Sequence, residues 1–232
     1  MESIRIYRKE LSSLLKIIFS EVSQIASLCY KILQDGDTDS NTDRETSKLK
    51  GETHQLAVVL QYEDIIDQGF ISFDAISDET ERLDDLEIAV EKEEAEKLEK
   101  LICAVVDNTD SLIRSSLKNI ENRLNRLSKI LNDIELTHEN KKETVNKCLS
   151  IINNTNLVIE ELTETVVNYK GGESLSCDFP SFSFSGRPNK NFENSIPERL
   201  AKSFRVVEHK QLLNNFFPGS NKAGESGALD VF

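Results

Sequence analysis

Tryptophan is absent from this chain, methionine occurs once, and no proline precedes Pro180. The missing tryptophan, the single methionine and the 30 % of charged residues leave it poorly stocked for a broad mixed core. The missing prolines mean that no helix in the first three quarters must break for that reason. Four cysteines (Cys29, Cys103, Cys148, Cys177) stand far apart with no CxxC pair, so a reduced, structural role is expected. Three histidines (His54, His138, His209) have no Cys or His partner at ligand spacing, which argues against a metal centre. The acidic run from Asp78 to Glu99 lacks a Gly-centred calcium loop and reads as a solvated helix face, with pairs such as Glu96 and Lys100. Phosphate-binding Gly-rich loops, nucleophile elbows and kinase motifs are also missing. His54 is followed by Gln55-Leu56-Ala57-Val58, without the lysine and glycine that usually follow a phosphotransfer histidine.

Basic residues are outnumbered, 28 Lys and Arg against 41 Asp and Glu. The net charge of −13 argues against direct nucleic-acid binding, which requires clustered Lys and Arg, and against docking on an anionic membrane surface. No stretch approaches the ~20 apolar residues of a bilayer span, so no membrane insertion is expected. Met1-Glu2-Ser3-Ile4-Arg5 lacks a cleavable signal pattern, and the cytoplasm is the expected location.

What is present is helical periodicity. Leu11, Leu14, Leu15, Ile18, Val22, Ile25 and Leu28 return at three- and four-residue steps and predict a helix over 2–34. The polar tract 35–41 ends it, and a second helical pattern starts near Glu52 or Thr53. That pattern runs through Phe70, Phe73 and Ile76 towards Leu83 and Leu86, with Gly69 as a weak point and Ser77 as a candidate cap for a restart, so that either one helix or two spans 53–100. Ile113, Leu117, Ile120, Leu124, Leu127, Leu131 and Ile134 form a heptad seam, and Val145, Cys148, Ile152, Thr155, Ile159, Leu162 and Val166 a second. The polar run Thr137 to Lys142 between them predicts the tip of an antiparallel helical hairpin, with a continuous rod of ~75 residues as the competing geometry. The fold class expected is all-α: a long hairpin or four-helix bundle, closed within one chain or by homodimerisation. Four segments result. A helical body spans 1–169, a linker rich in Gly, Ser and Pro spans 170–195, a short amphipathic helix covers 196–217, and an acidic-apolar tail occupies 218–232. In the short helix Pro197 suits a first helical position, and Leu200, Phe204, Val207, Leu212 and Phe216 make the apolar stripe.

One local motif carries chemistry. In Leu60-Gln61-Tyr62-Glu63-Asp64-Ile65-Ile66-Asp67-Gln68, a carboxylate and a carboxamide stand four residues apart, on one face of a helix. Both side chains are expected to be exposed together, away from a helix end. A bare D-x-x-x-Q is common on amphipathic helices, where it forms an ordinary polar stripe. With Tyr62, Ile65 and the Leu60-Gln61 lead-in, however, these nine residues resemble the helical core motif of the chemotaxis phosphatase CheZ and its distant relatives. Glu63 stands where that family has Gln, and Asp67 where it has Gly or a variable residue. The motif comes before the main heptad seam, whereas the family carries it late in the chain.

The resemblance implies dephosphorylation of a CheY-like receiver domain in chemotaxis-type signalling. Gln68 would orient the attacking water and Asp64 would pair with a lysine of the regulator. Gln61, Tyr62 and Ile65 would flank the contact. Leu229, Val231 and Phe232, in the tail, would tether the partner and raise its local concentration. The chain would hold no cofactor of its own, because the receiver brings the Mg²⁺ and the phosphoryl group. The alternative is a non-catalytic coiled-coil signalling or scaffolding protein, and a third option is a helical component of an assembly or secretion system.

Overall fold

The runs of apolar residues at three- and four-residue spacing fold as helices because that spacing lines one face for burial. The computed structural model describes residues 2–34, 42–85, 92–134, 139–168 and 196–218. Its elements are α1 (Glu2–Gln34), α2 (Thr42–Val59), α3 (Tyr62–Asp85), α4 (Lys92–Asp133), α5 (Glu139–Asn168), α6 (Ile196–Ser203) and α7 (Val207–Phe216). The described residues contain no strand, as the all-α expectation requires. Residue 1, the connections 35–41, 86–91, 135–138 and 169–195, and the tail from 219 on lie outside the described residues.

The chain divides into two compact units. The first takes Met1–Ser12, Asp64–Leu112 and, from the C-terminal part, the described residues 196–218; the second takes Ser13–Glu63 and Ile113–Tyr169.

In the first unit, Phe73 and Ile76 of α3 share a core with Leu98, Ile102 and Val105 of α4. Ile196, Leu200, Phe204, Leu213 and Phe217 complete that core from the C-terminal segment. Each such side chain contributes about 1.5–3 kcal/mol when fully buried. The ion pairs of this unit include two that engage a buried carboxylate. Arg8 of α1 reaches Asp110 of α4 at 3.1 Å, both side chains being buried, and its guanidinium lies 5.2 Å from the Phe70 ring centroid and 5.0 Å from that of Phe73. Arg199 of α6 grips Glu79 of α3 through Nε and Nη2, a bidentate pair on a carboxylate that is almost wholly buried.

In the second unit both heptad seams are buried, except that Ile134 at the end of the first is only half-buried. Leu15, Ile18, Val22 and Ile25 of α1 and Leu49, Leu56 and Val59 of α2 are buried in the same unit. Leu14, although it fits the apolar spacing, is 42 % exposed. Polar contacts link the helices: Thr155 donates to Glu21 at 2.8 Å, Arg123 to Glu52 at 3.0 Å, Asn156 to Asn125 at 3.0 Å, and Arg114 to the Val166 carbonyl at 3.2 Å.

Three sequence expectations change. The second helical pattern starts earlier than Glu52 and breaks inside the 60–68 motif, whereas Ser77, the candidate restart, lies within the unbroken α3. α2 begins at Thr42 and stops at Val59, and Leu60-Gln61 form a turn in which Gln61 N–H bonds Val58 O and Glu63 N–H bonds Leu60 O, both at 3.2 Å. These i→i+3 bonds tighten the chain without Gly or Pro. The C-terminal amphipathic helix is two helices, broken over 204–206 so that Phe204 enters the core while Val207 stays 40 % exposed. Finally, α1 over Ile4–Gln34 is long and apolar enough to cross a membrane by length and composition, contrary to the expectation that no stretch approaches that limit. Its residues Leu11, Leu15, Ile18, Val22 and Ile25 are buried inside the protein.

Candidate functional site

The turn at Leu60-Gln61 decides where the motif stands. α3 starts at Tyr62, which makes Asp64 its third residue and places a carboxylate in the first turn, where the helix dipole favours negative charge. Asp64 is exposed. Gln68 follows one turn later and is half-buried; its Oε1 is shielded from solvent and has no hydrogen-bond partner. The pair therefore departs from the expected geometry twice. It sits at a helix start, and only the carboxylate faces solvent freely.

The next residue shows what draws this stretch inward. Gly69 is buried, and a Cβ there would lie 2.5 Å from Thr109 Oγ1 and 2.7 Å from its Cγ2. The absence of a side chain lets α3 approach α4 closely at that point. Ile66 and Phe70 are buried on either side. Tyr62, Ile65 and Asp67 are half-buried and Gln61 is exposed, while Leu229, Val231 and Phe232 lie outside the described residues.

One turn beyond Gln68 lies a polar group that no local spacing announces. His209 of α7 places Nδ1 3.1 Å from Ser72 Oγ and Nε2 3.1 Å from Asn108 Oδ1. Ser72 Oγ also donates to the Gln68 carbonyl at 2.9 Å. If Nε2–H donates to Asn108, Nδ1 accepts, and the single Ser72 proton is shared between His209 and Gln68. Burial lowers the His209 pKa to about 4; the Arg8 charge acts in the same direction and Glu208 opposes it. Serine, histidine and asparagine in line resemble a nucleophile, base and orienter, but Ser72 and His209 are sealed from solvent. The group is a structural clamp holding α7 to α3 and α4.

Two cavities open in the second unit. One, of about 620 Å³, is lined by Glu45, Lys48, His54 and Arg126 among others, and the other, of about 560 Å³, by Lys16, Ser20, Gln24, Leu60 and Glu63 among others. Neither includes Asp64 or Gln68. Among the described residues no three His, Cys, Asp or Glu side chains group as a metal site. No protein-family model, curated protein or solved structure matches the chain.

Proposed function

We propose that the chain is a phosphatase for a phosphorylated receiver domain, acting through Asp64 and Gln68 of α3. The observation that carries the reading is the solvent-facing Asp64 one helical turn from Gln68, in the motif 60–68. A short helix-borne pair of this kind suits insertion into a cleft that the partner provides. Asp64 engages a lysine of the receiver, and the Gln68 carboxamide holds a water in line with the aspartyl phosphate. The receiver supplies Mg²⁺ and the phosphoryl group, so this chain contributes positioning and electrostatics. Gln68 must turn its carboxamide outward to do so. Its buried oxygen has no hydrogen-bond partner, a cost of about 1–3 kcal/mol that the outward turn relieves.

The same reading takes α1, α2, α4 and α5 as a four-helix bundle in which α4 and α5 form an antiparallel hairpin. Support comes from Asn125 with Asn156 and Arg114 with Val166: stepping back along α4 corresponds to stepping forward along α5. Four helices from one chain favour closure without a second copy. A cytoplasmic location goes with a receiver-domain partner.

A second reading, a non-catalytic helical binding protein, is favoured by the inward-turned Gln68 oxygen. The time course of receiver dephosphorylation with wild type and Gln68→Ala separates the two. A slower Gln68→Ala supports catalysis, and equal rates leave the binding protein.

A further inference from the structure

We propose that Cys29 and Cys148 are a redox-responsive pair that closes into a disulfide when the protein meets a peroxide. Cys29 lies on α1 and Cys148 on α5, 119 residues apart in sequence, yet their Sγ atoms are 3.9 Å apart in the second unit. Both side chains are fully buried and both thiols are free. Closure shortens the sulfur separation from 3.9 Å to about 2.05 Å. Cys103 belongs to the first unit, and Cys177 lies outside the described residues.

The two sulfurs are not equivalent. The hydrogen bond shared with Cys148 holds the Cys29 thiol below its ordinary pKa against the opposing effect of burial, and the Thr53 hydroxyl adds a smaller contribution of the same sign. Cys148, which shares that hydrogen bond and is itself buried, is held well above the usual thiol range. Either sulfur can give the hydrogen bond, so the step with Cys29 attacking and Cys148 resolving balances equally with the roles exchanged.

The Cys29 sulfur attacks one oxygen of hydrogen peroxide, the O–O bond breaks, and the departing hydroxide takes the Cys29 proton as water. Cys29 is left as a sulfenic acid. The Cys148 sulfur then attacks the Cys29 sulfur, the S–O bond breaks, and the second hydroxide leaves as water with the Cys148 proton. Two thiols are oxidised and one peroxide is reduced to two waters. The new bond ties α1 to α5 and closes a long loop, which constrains the unfolded chain and stabilises the oxidised form.

The test uses the full chain, fully reduced and then exposed to hydrogen peroxide, with remaining thiols alkylated before digestion without reductant. Mass spectrometry is expected to find one linked peptide pair carrying Cys29 and Cys148, lighter by two hydrogens than the separate thiol peptides. Dithiothreitol added before alkylation returns them as two alkylated peptides. The oxidised protein melts at a higher temperature than the reduced one; Cys148→Ser abolishes that gain and Cys103→Ser keeps it. Four alkylatable thiols after peroxide treatment overturn the proposal. So do links to Cys103 or Cys177, or sulfinic acid on Cys29 without a link.

Discussion

A methyl group at position 69 has no room. Alanine normally gains about 1 kcal/mol over glycine inside a helix. Here its Cβ would meet Thr109 at 2.5 Å and 2.7 Å, and Thr109 is pinned because its hydroxyl donates to the Val105 carbonyl at 2.8 Å. Overpacking of that kind costs about 1–3 kcal/mol, so Gly69→Ala is expected to lower the urea midpoint. Adding Thr109→Ala should recover most of the loss; no recovery would place the strain elsewhere. His209 offers a second test. Its folded pKa of about 4 lies below the unfolded value of 6.5, so the native state prefers the neutral ring. Its stabilising contribution is complete above pH 6.5 and is lost as the pH falls towards 4, by about 3 kcal/mol in all. Urea midpoints at pH 7 and pH 4.5 should fall further for wild type than for His209→Gln. An identical drop in both would remove His209 as the source.

Among the elements, α6 and α7 are held by few but specific groups. Arg199→Ala leaves Glu79, only 7 % exposed, without its bidentate partner, although Arg82 stands 3.9 Å away. A loss of about 2 kcal/mol is expected, read as faster hydrogen exchange in 196–218 with α5 unchanged. The limits of α1 and both heptad seams were legible in the sequence, because burial there repeats at the helical period. The breaks at 60–61 and 204–206 were not. Apolar residues run across each, no Gly or Pro marks either, and the C-terminal break answers to the core that Phe204 and Leu213 enter. The candidate site divides in the same way. Asp64 on an exposed face follows from local pattern. The inward turn of Gln68 accompanies the contact of Gly69 with Thr109, forty residues away, and the His209 clamp joins residues 137 and 101 positions apart.

For the whole molecule, two units with separate cores hold the chain, and each contains a device of its own: an ionic and histidine clamp in the first, a thiol pair in the second. Breaking the Arg8–Asp110 pair by Asp110→Ala leaves a buried guanidinium uncompensated, and a loss of about 3–5 kcal/mol is expected in the denaturation of the full chain. A loss below 1 kcal/mol would mean that Arg8 finds another acceptor or water. The net charge of −13 suits a partner whose docking surface is basic, which agrees with the lysine proposed as the partner of Asp64. The most direct test of the functional account is the decay of phosphorylated receiver domain in the presence of wild type or Gln68→Ala. The account predicts accelerated decay with wild type and a loss of about 100-fold in that acceleration for the variant. Equal acceleration by both proteins, or none by either, would contradict it.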